Sequence, residues 1–156
     1  MATTIELSTD LDCSPDRAWA HVNSRALLEH VTAPLIRFAP QGRPFPDHWD
    51  AGEYRARMFF LGVIPLGWQA IVIERPPAEG PVRRLRDNGY SPLIDRWDHW
   101  IEIGPNPDGT THYTDRVTVD AGWRTPVVAA FARLFYRHRQ RRWRTLAVSD
   151  FAALRP

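Results

Sequence analysis

Apolar residues recur along this chain with two different periods, and the change of period marks out its elements. Ile5, Leu7, Leu11 and Cys13 alternate with Glu6, Ser8, Asp10 and Asp12, the period of two expected of a strand with one buried face. Ser14-Pro15-Asp16 follows, with a capping hydroxyl, a proline at the first helical position and an acid in the first turn. This predicts a short helix that turns Ala18, Trp19 and Val22 inward. Asn23-Ser24 interrupts it and predicts the cap of a second short helix carrying Leu27, Leu28 and Val31.

From Thr32 to Gly52 the pattern is irregular, because Pro34, Pro40, Pro44 and Pro46 oppose regular structure. Leu35, Ile36, Phe38, Phe45 and Trp49 still need to pack. A packed loop with a short extended piece at Leu35–Phe38 is expected, either as the wall of a site or as a surface loop pinned by its aromatics.

Alternation then returns. Glu53–Phe60 and Leu66–Ile73 read as strands joined across Gly62-Val63-Ile64-Pro65, with Tyr54, Ala56, Met58 and Phe60 on one face. Val82–Asp87 reads as a weaker strand that ends at an Asn88-Gly89 turn. Leu93–Ile103 and Thr111–Asp120 form the clearest hairpin. A two-residue Asp-Gly loop would set Ile101 opposite Arg116 and mix the faces. A three-residue loop, Pro107-Asp108-Gly109 with Gly109 left-handed, sets Ile103 opposite Tyr113, Ile101 opposite Asp115, His99 opposite Val117 and Trp97 opposite Val119. The second register keeps the apolar face together and makes His99 and Asp115 diagonal neighbours.

The last element is a long helix from Thr125 to Leu146, with Thr125 as N-cap and Pro126 in the first turn. Val127, Val128, Phe131, Leu134 and Phe135 define an apolar stripe, which His138 and Arg142 continue. Arg133, Arg137 and Arg144 fall opposite. One strand, two short helices, about six more antiparallel strands and one long helix make an α+β pattern, best satisfied by a curved sheet wrapped around the final helix.

Composition narrows the class without choosing a function. A chain of 156 residues with 44% hydrophobic content is expected to form a single domain over 1–156. The net charge is +2, too small to dictate a partner, and every basic residue is arginine. The arginines between Arg133 and Arg144 are spread around the helix, which suits a solvated helix end better than a nucleic-acid surface. A single cysteine, Cys13, excludes an internal disulfide. There is no motif for a metal or cofactor, no apolar run long enough to cross a membrane, and no leader-like N-terminus, so a cytoplasmic protein without cofactor is expected.

Four phrases together resemble the START/Bet v 1-like helix-grip superfamily, the SRPBCC group that includes polyketide cyclases and dehydrases. They are IELSTDLDCSPDRAWAHV, GEYRARMFFLGVIPLGW, PDGTTHYTDRVTVD and VVAAFARLFYRHRQRRWRTL. The likeness spans nearly the whole chain. It implies a helix-grip fold with a cavity between a sheet of about seven strands and the C-terminal helix. It specifies no chemistry, because the superfamily hosts lipid carriers, metabolite binders and enzymes alike.

The residues expected to line such a cavity are Tyr54, Met58, Trp68, Trp97, His99, Ile101, Tyr113, Asp115, Phe131, Phe135, His138 and Arg142. His99 and Asp115, with Tyr54 as a third candidate, are either a base and its orienting carboxylate or a satisfied polar pair, or else Asp115 is ion-paired to an arginine. His138 and Arg142 either hold a ligand's polar head or lie wet beyond the sheet edge. Leu61–Gly67 is an apolar hairpin tip, either a flap over the mouth or a homodimer contact. The expectation is a binder of a small hydrophobic molecule, aromatic or acyl, rather than an enzyme. The alternative is a cyclase or dehydratase working through His99 and Asp115 in the same cavity.

Overall fold

The computed structural model describes residues 1–156. Its elements are β1 (Thr3–Leu11), α1 (Pro15–Val22), α2 (Arg25–Thr32), β2 (Ile36–Pro40), β3 (Gly52–Phe60), β4 (Ile64–Glu74), β5 (Arg83–Ser91), β6 (Ile94–Pro105), β7 (Thr111–Asp120) and α3 (Thr125–Val148). The strands form one antiparallel sheet in the order β1-β7-β6-β5-β4-β3-β2, so α1 and α2 carry the chain from one edge to the other. With α3 packed across β1, β7 and α2, this is the helix-grip α+β architecture.

The short helices begin as their sequence dictates. Ser14 Oγ accepts from the Arg17 N–H at 3.3 Å, and Ser24 Oγ accepts from the Leu27 N–H at 3.1 Å. Each satisfies one of the donors that a helix start leaves free. Phe45 and Trp49 pin the proline-rich loop, both buried, and Trp49 meets Tyr54 edge-on at 5.0 Å.

The β6–β7 register is the expected one: Ile103 faces Tyr113, Ile101 faces Asp115, His99 faces Val117 and Trp97 faces Val119. Gly109 takes a φ of 86°, the left-handed conformation that the three-residue loop needs.

Three expectations are corrected. Asn88-Gly89 is no turn, since β5 runs through it to Ser91. Gly89 is buried there, and a Cβ would lie 2.8 Å from the Ala70 carbonyl oxygen, so the glycine serves a close strand approach. Thr125 is not the cap of α3 but its first residue. Its hydroxyl closes the preceding short 3-10 turn, accepting from the Ala121 N–H and donating to the Gly122 oxygen.

The face of α3 is the third. Val127 and Leu134 are exposed, while Ala129, Ala132, Tyr136, Arg139, Gln140, Trp143 and Ala147 are buried. Small residues let a helix approach a sheet closely. Here Ala129 and Ala132 make that contact, and the bulkier Val127, Val128 and Phe131 are left to one side of it.

Candidate ligand cavity

A cavity of about 500 Å³ lies between α3 and the concave face of the sheet. Of the 27 residues that line it, 21 are hydrophobic. On α3 the lining residues include Val127, Phe131, Phe135 and Arg139, each four positions after the last. Twelve residues at 1.5 Å rise set a depth of about 18 Å. Val127, 75% exposed, stands at the rim with Leu66 and Leu93, and Arg139, 6% exposed, closes the deep end.

A bulge shapes the rim. Met58 pairs with Gly67 and Phe59 with Pro65, so Leu66 is the extra residue of β4. Leu66 lines the mouth, Trp68 turns outward, and Gln69, Ile71 and Ile73 line the interior. Phase counted from Leu66 alone misplaces Trp68, which lies on the outer face between Arg55 and the edge of Tyr90.

Polar groups concentrate at the deep end. His99 Nε2 is 2.7 Å from Asp115 Oδ1, which also accepts from the Tyr113 hydroxyl at 2.9 Å. Gln140 Nε2 donates to Asp115 Oδ2 at 3.0 Å and to the Leu7 carbonyl at 2.8 Å. Asp115 is thus held by three donors and is not paired with an arginine. It stands behind His99, outside the cavity wall. With Nε2–H donated to Asp115, the imidazole keeps Nδ1 as an acceptor. Burial lowers the His99 pKa, and the hydrogen bond to Asp115 opposes that only in part, so the ring is neutral near pH 7.

Asp87 and Arg139 complete this end. Asp87 lies opposite His99 in the β5–β6 ladder and accepts from the Val72 N–H at 2.8 Å. Its carboxyl faces the hollow yet is remote from bulk water, and burial pushes its pKa up to about 7, against the pull of the Val72 N–H and Arg139. Arg139 is the stranger group. It forms no salt bridge, its Nε–H has no acceptor, and its guanidinium rests near the rings of Tyr136 and Phe135, at 5.3 and 5.9 Å. Burial works against its charge, and the nearby Asp115 carboxylate and the Tyr113 hydroxyl work for it. Tyr136 in turn accepts from Trp97 Nε1 at 3.0 Å.

Of the residues expected to line the cavity, Met58, Trp97, His99, Ile101, Phe131 and Phe135 do so. Tyr54, Trp68, Tyr113, Asp115, His138 and Arg142 do not. Tyr54 packs below the cavity and donates to the Asp50 carbonyl, so the third member of the His99–Asp115 group is Tyr113. His138 Nε2 bonds the Ala33 carbonyl at 2.7 Å, and Arg142 Nε donates to the His30 carbonyl at 2.7 Å. Both clamp α3 to α2 and its exit, satisfying carbonyls at a helix C-terminus.

Sequence reasoning missed Asp87, Arg139, Gln140 and Gln69. Asp87 was hidden because Asn88-Gly89 reads as a turn. Arg139 was within reach: steps of four from Val127 through Phe131 and Phe135 arrive at it, whereas the stripe drawn above continued to His138.

Residues 9–146 match the family described as a domain of unknown function, DUF8410. The chain belongs to that family. No match to a curated protein is found. Among solved structures, a protein from Chromobacterium violaceum is similar at a TM-score of 0.64 and 13% identity, over 92% of this chain and 96% of that one. A START superfamily protein from Mycobacterium smegmatis is similar at 0.63 and 11% identity, over 94% and 97%. A Thermus thermophilus protein is similar at 0.61 and 10% identity, over 99% and 100%. At such identities the likeness is one of fold: this DUF8410 chain has the START/SRPBCC-like fold. No helix in it is long and apolar enough to cross a membrane.

Proposed function

We propose that this DUF8410 protein binds a small hydrophobic molecule, acyl or aromatic, in the cavity between α3 and the sheet. The observation that carries this reading is the hollow itself. Large apolar side chains surround about 500 Å³ of space instead of filling it, and the size falls within the roughly 300–1,000 Å³ range of ligand sites. An unfilled apolar void costs stability, at about 24 cal/mol per Å³ for cavities opened by mutation, so a ligand that restores those contacts gains binding energy from the same source. The sparse polar groups at the deep end would orient the ligand. Native mass spectrometry of the purified protein, with fluorescence titration of the neutral probe N-phenyl-1-naphthylamine, tests it. A co-purifying small molecule or saturable micromolar probe binding is expected; absence of both rejects the reading.

The cyclase or dehydratase alternative is favoured by one observation: His99, oriented by Asp115, lines the cavity with Nδ1 as an acceptor. It would require that the ligand be changed chemically. Ligands recovered from wild type and His99→Ala should then differ in mass or structure, and identical ligands reject it.

A further inference from the structure

The least expected feature of the cavity is a buried charge without a carboxylate partner. Arg139 is buried, its Nε–H lacks any acceptor, and no carboxylate is in contact with it; the Tyr113 hydroxyl is its one polar neighbour in reach, and Asp115 and Asp87 act on it only electrostatically. Asp115 is already committed to His99, Tyr113 and Gln140. A guanidinium is never neutral in a protein, and removing it from water without hydrogen-bond acceptors is expensive. Buried arginines are therefore paired, and this one opens onto a cavity of the proposed ligand-binding kind.

The missing group must be an acceptor, must arrive with the ligand, and must fit beside a carboxyl. Arg139 offers donors and Asp87 offers an oxygen on the facing strand β5. The Tyr136 hydroxyl, which already accepts from Trp97, has its own proton to give. A carboxylate suits this set: it takes forked hydrogen bonds from a guanidinium, and one of its oxygens can share a proton with a neighbouring carboxyl. A simple hydroxyl would satisfy the guanidinium less well, and a cationic head would meet it with repulsion.

We infer that the cavity selects hydrophobic carboxylic acids, the carboxylate docking at the deep end on Arg139 beside Asp87 and the apolar body running out along Phe135 and Phe131 to the rim. This rests on the cavity being a ligand site, as proposed above. Two carboxyl groups side by side cannot both be charged at little cost, so binding retains a proton on Asp87. The titratable and charged groups around Asp87 are His99 of β6 opposite it, Tyr136 and Arg139 of α3, and Asp98 on the other face of β6, with the Val72 N–H of β4 as its hydrogen-bond donor. Asp98 is already held by Arg86 at 2.8 Å, and burial favours the neutral form of His99, leaving Asp87 as the group that titrates near neutrality.

The test is displacement of N-phenyl-1-naphthylamine by decanoate and by decan-1-ol, at pH 6 and pH 8. Decanoate should displace the probe at pH 6 at about one-tenth the concentration that decan-1-ol needs, or less, as charge-assisted hydrogen bonds imply. It should weaken about tenfold by pH 8, while decan-1-ol changes little. Arg139→Met should keep the probe and lose the preference for decanoate; Asp87→Asn should flatten its pH dependence. Equal displacement by acid and alcohol in the wild type overturns the inference while leaving the cavity reading intact, as does a preference that survives in Arg139→Met. If Arg139→Met does not fold, the wild-type ratio and Asp87→Asn decide. A wild type that does not bind the probe and yields no ligand removes the cavity reading, and this inference with it.

Discussion

His99 Nε2 and Asp115 Oδ1 stand 2.7 Å apart across two neighbouring strands, both shielded from solvent. Asp115 is the hub of the arrangement, since His99, Tyr113 and Gln140 all donate to it. Asp115→Ala leaves three buried donors unsatisfied at once, and a loss of about 3–5 kcal/mol in urea unfolding is expected. A loss below about 1 kcal/mol would mean that the network is not made in solution.

Asp87 sets a pH dependence of stability. Its folded pKa of about 7 lies above the unfolded value of 3.8, so the folded state binds the extra proton between these limits. Stability from this group is therefore full below pH 4, falls as pH rises, and is lowest above pH 7. Asp87→Asn keeps an acceptor for the Val72 N–H and removes the titration. It should be more stable than wild type by roughly 2–4 kcal/mol at pH 8 and by little at pH 4, measured by urea unfolding at each pH. An equal difference at both would show that Asp87 titrates normally.

Arg139 should be a cost to the empty protein. Replacing a buried ion pair with apolar side chains is often neutral or stabilising, by about 1–4 kcal/mol, and a charge that no carboxylate contacts has less attraction to lose. Arg139→Met freed of ligand should therefore unfold at the same or a higher temperature. A clear drop would mean that the guanidinium is satisfied within the protein and needs no ligand.

Arg142 and His138 act as clamps remote from the cavity. Arg142→Ala removes the bond to the His30 carbonyl and should cost about 1–2 kcal/mol of stability, leaving probe affinity unchanged. Parallel unfolding and probe titrations separate the two effects. Weakened probe binding at full occupancy of the fold would place Arg142 in the binding site after all.

Val128→Trp should close the cavity near its rim, where Val128 is half-buried. Probe binding is expected to fall at least tenfold, on the order of 1.4 kcal/mol, with the circular dichroism spectrum retained. Undiminished binding would put the probe elsewhere.

The elements that could be read from the sequence were those whose information is local. Capping hydroxyls at Ser14 and Ser24, the strand alternation of β3, and the β6–β7 register follow from hydrogen-bond and side-chain geometry over a few residues. That register alone was enough to bring His99 to Asp115. Trp68 was misplaced because the Leu66 bulge changes the phase of β4, and β5 was cut short because Asn88-Gly89 has turn chemistry in isolation.

What the sequence determined on its own is the order of elements, the pairing of β6 with β7 and the existence of a long amphipathic α3. The tertiary structure decided which face of α3 is packed and which is left over a void. Periodicity finds apolar faces but cannot distinguish a face that fills a core from one that borders a hollow. In this protein the close contact falls to Ala129 and Ala132, and the bulkier Val127, Phe131 and Phe135 border the cavity. That rotation puts Arg139 on the cavity in place of His138 and Arg142, and only the packed sheet, by bringing Asp87 and His99 to the same end, gives that arginine its setting.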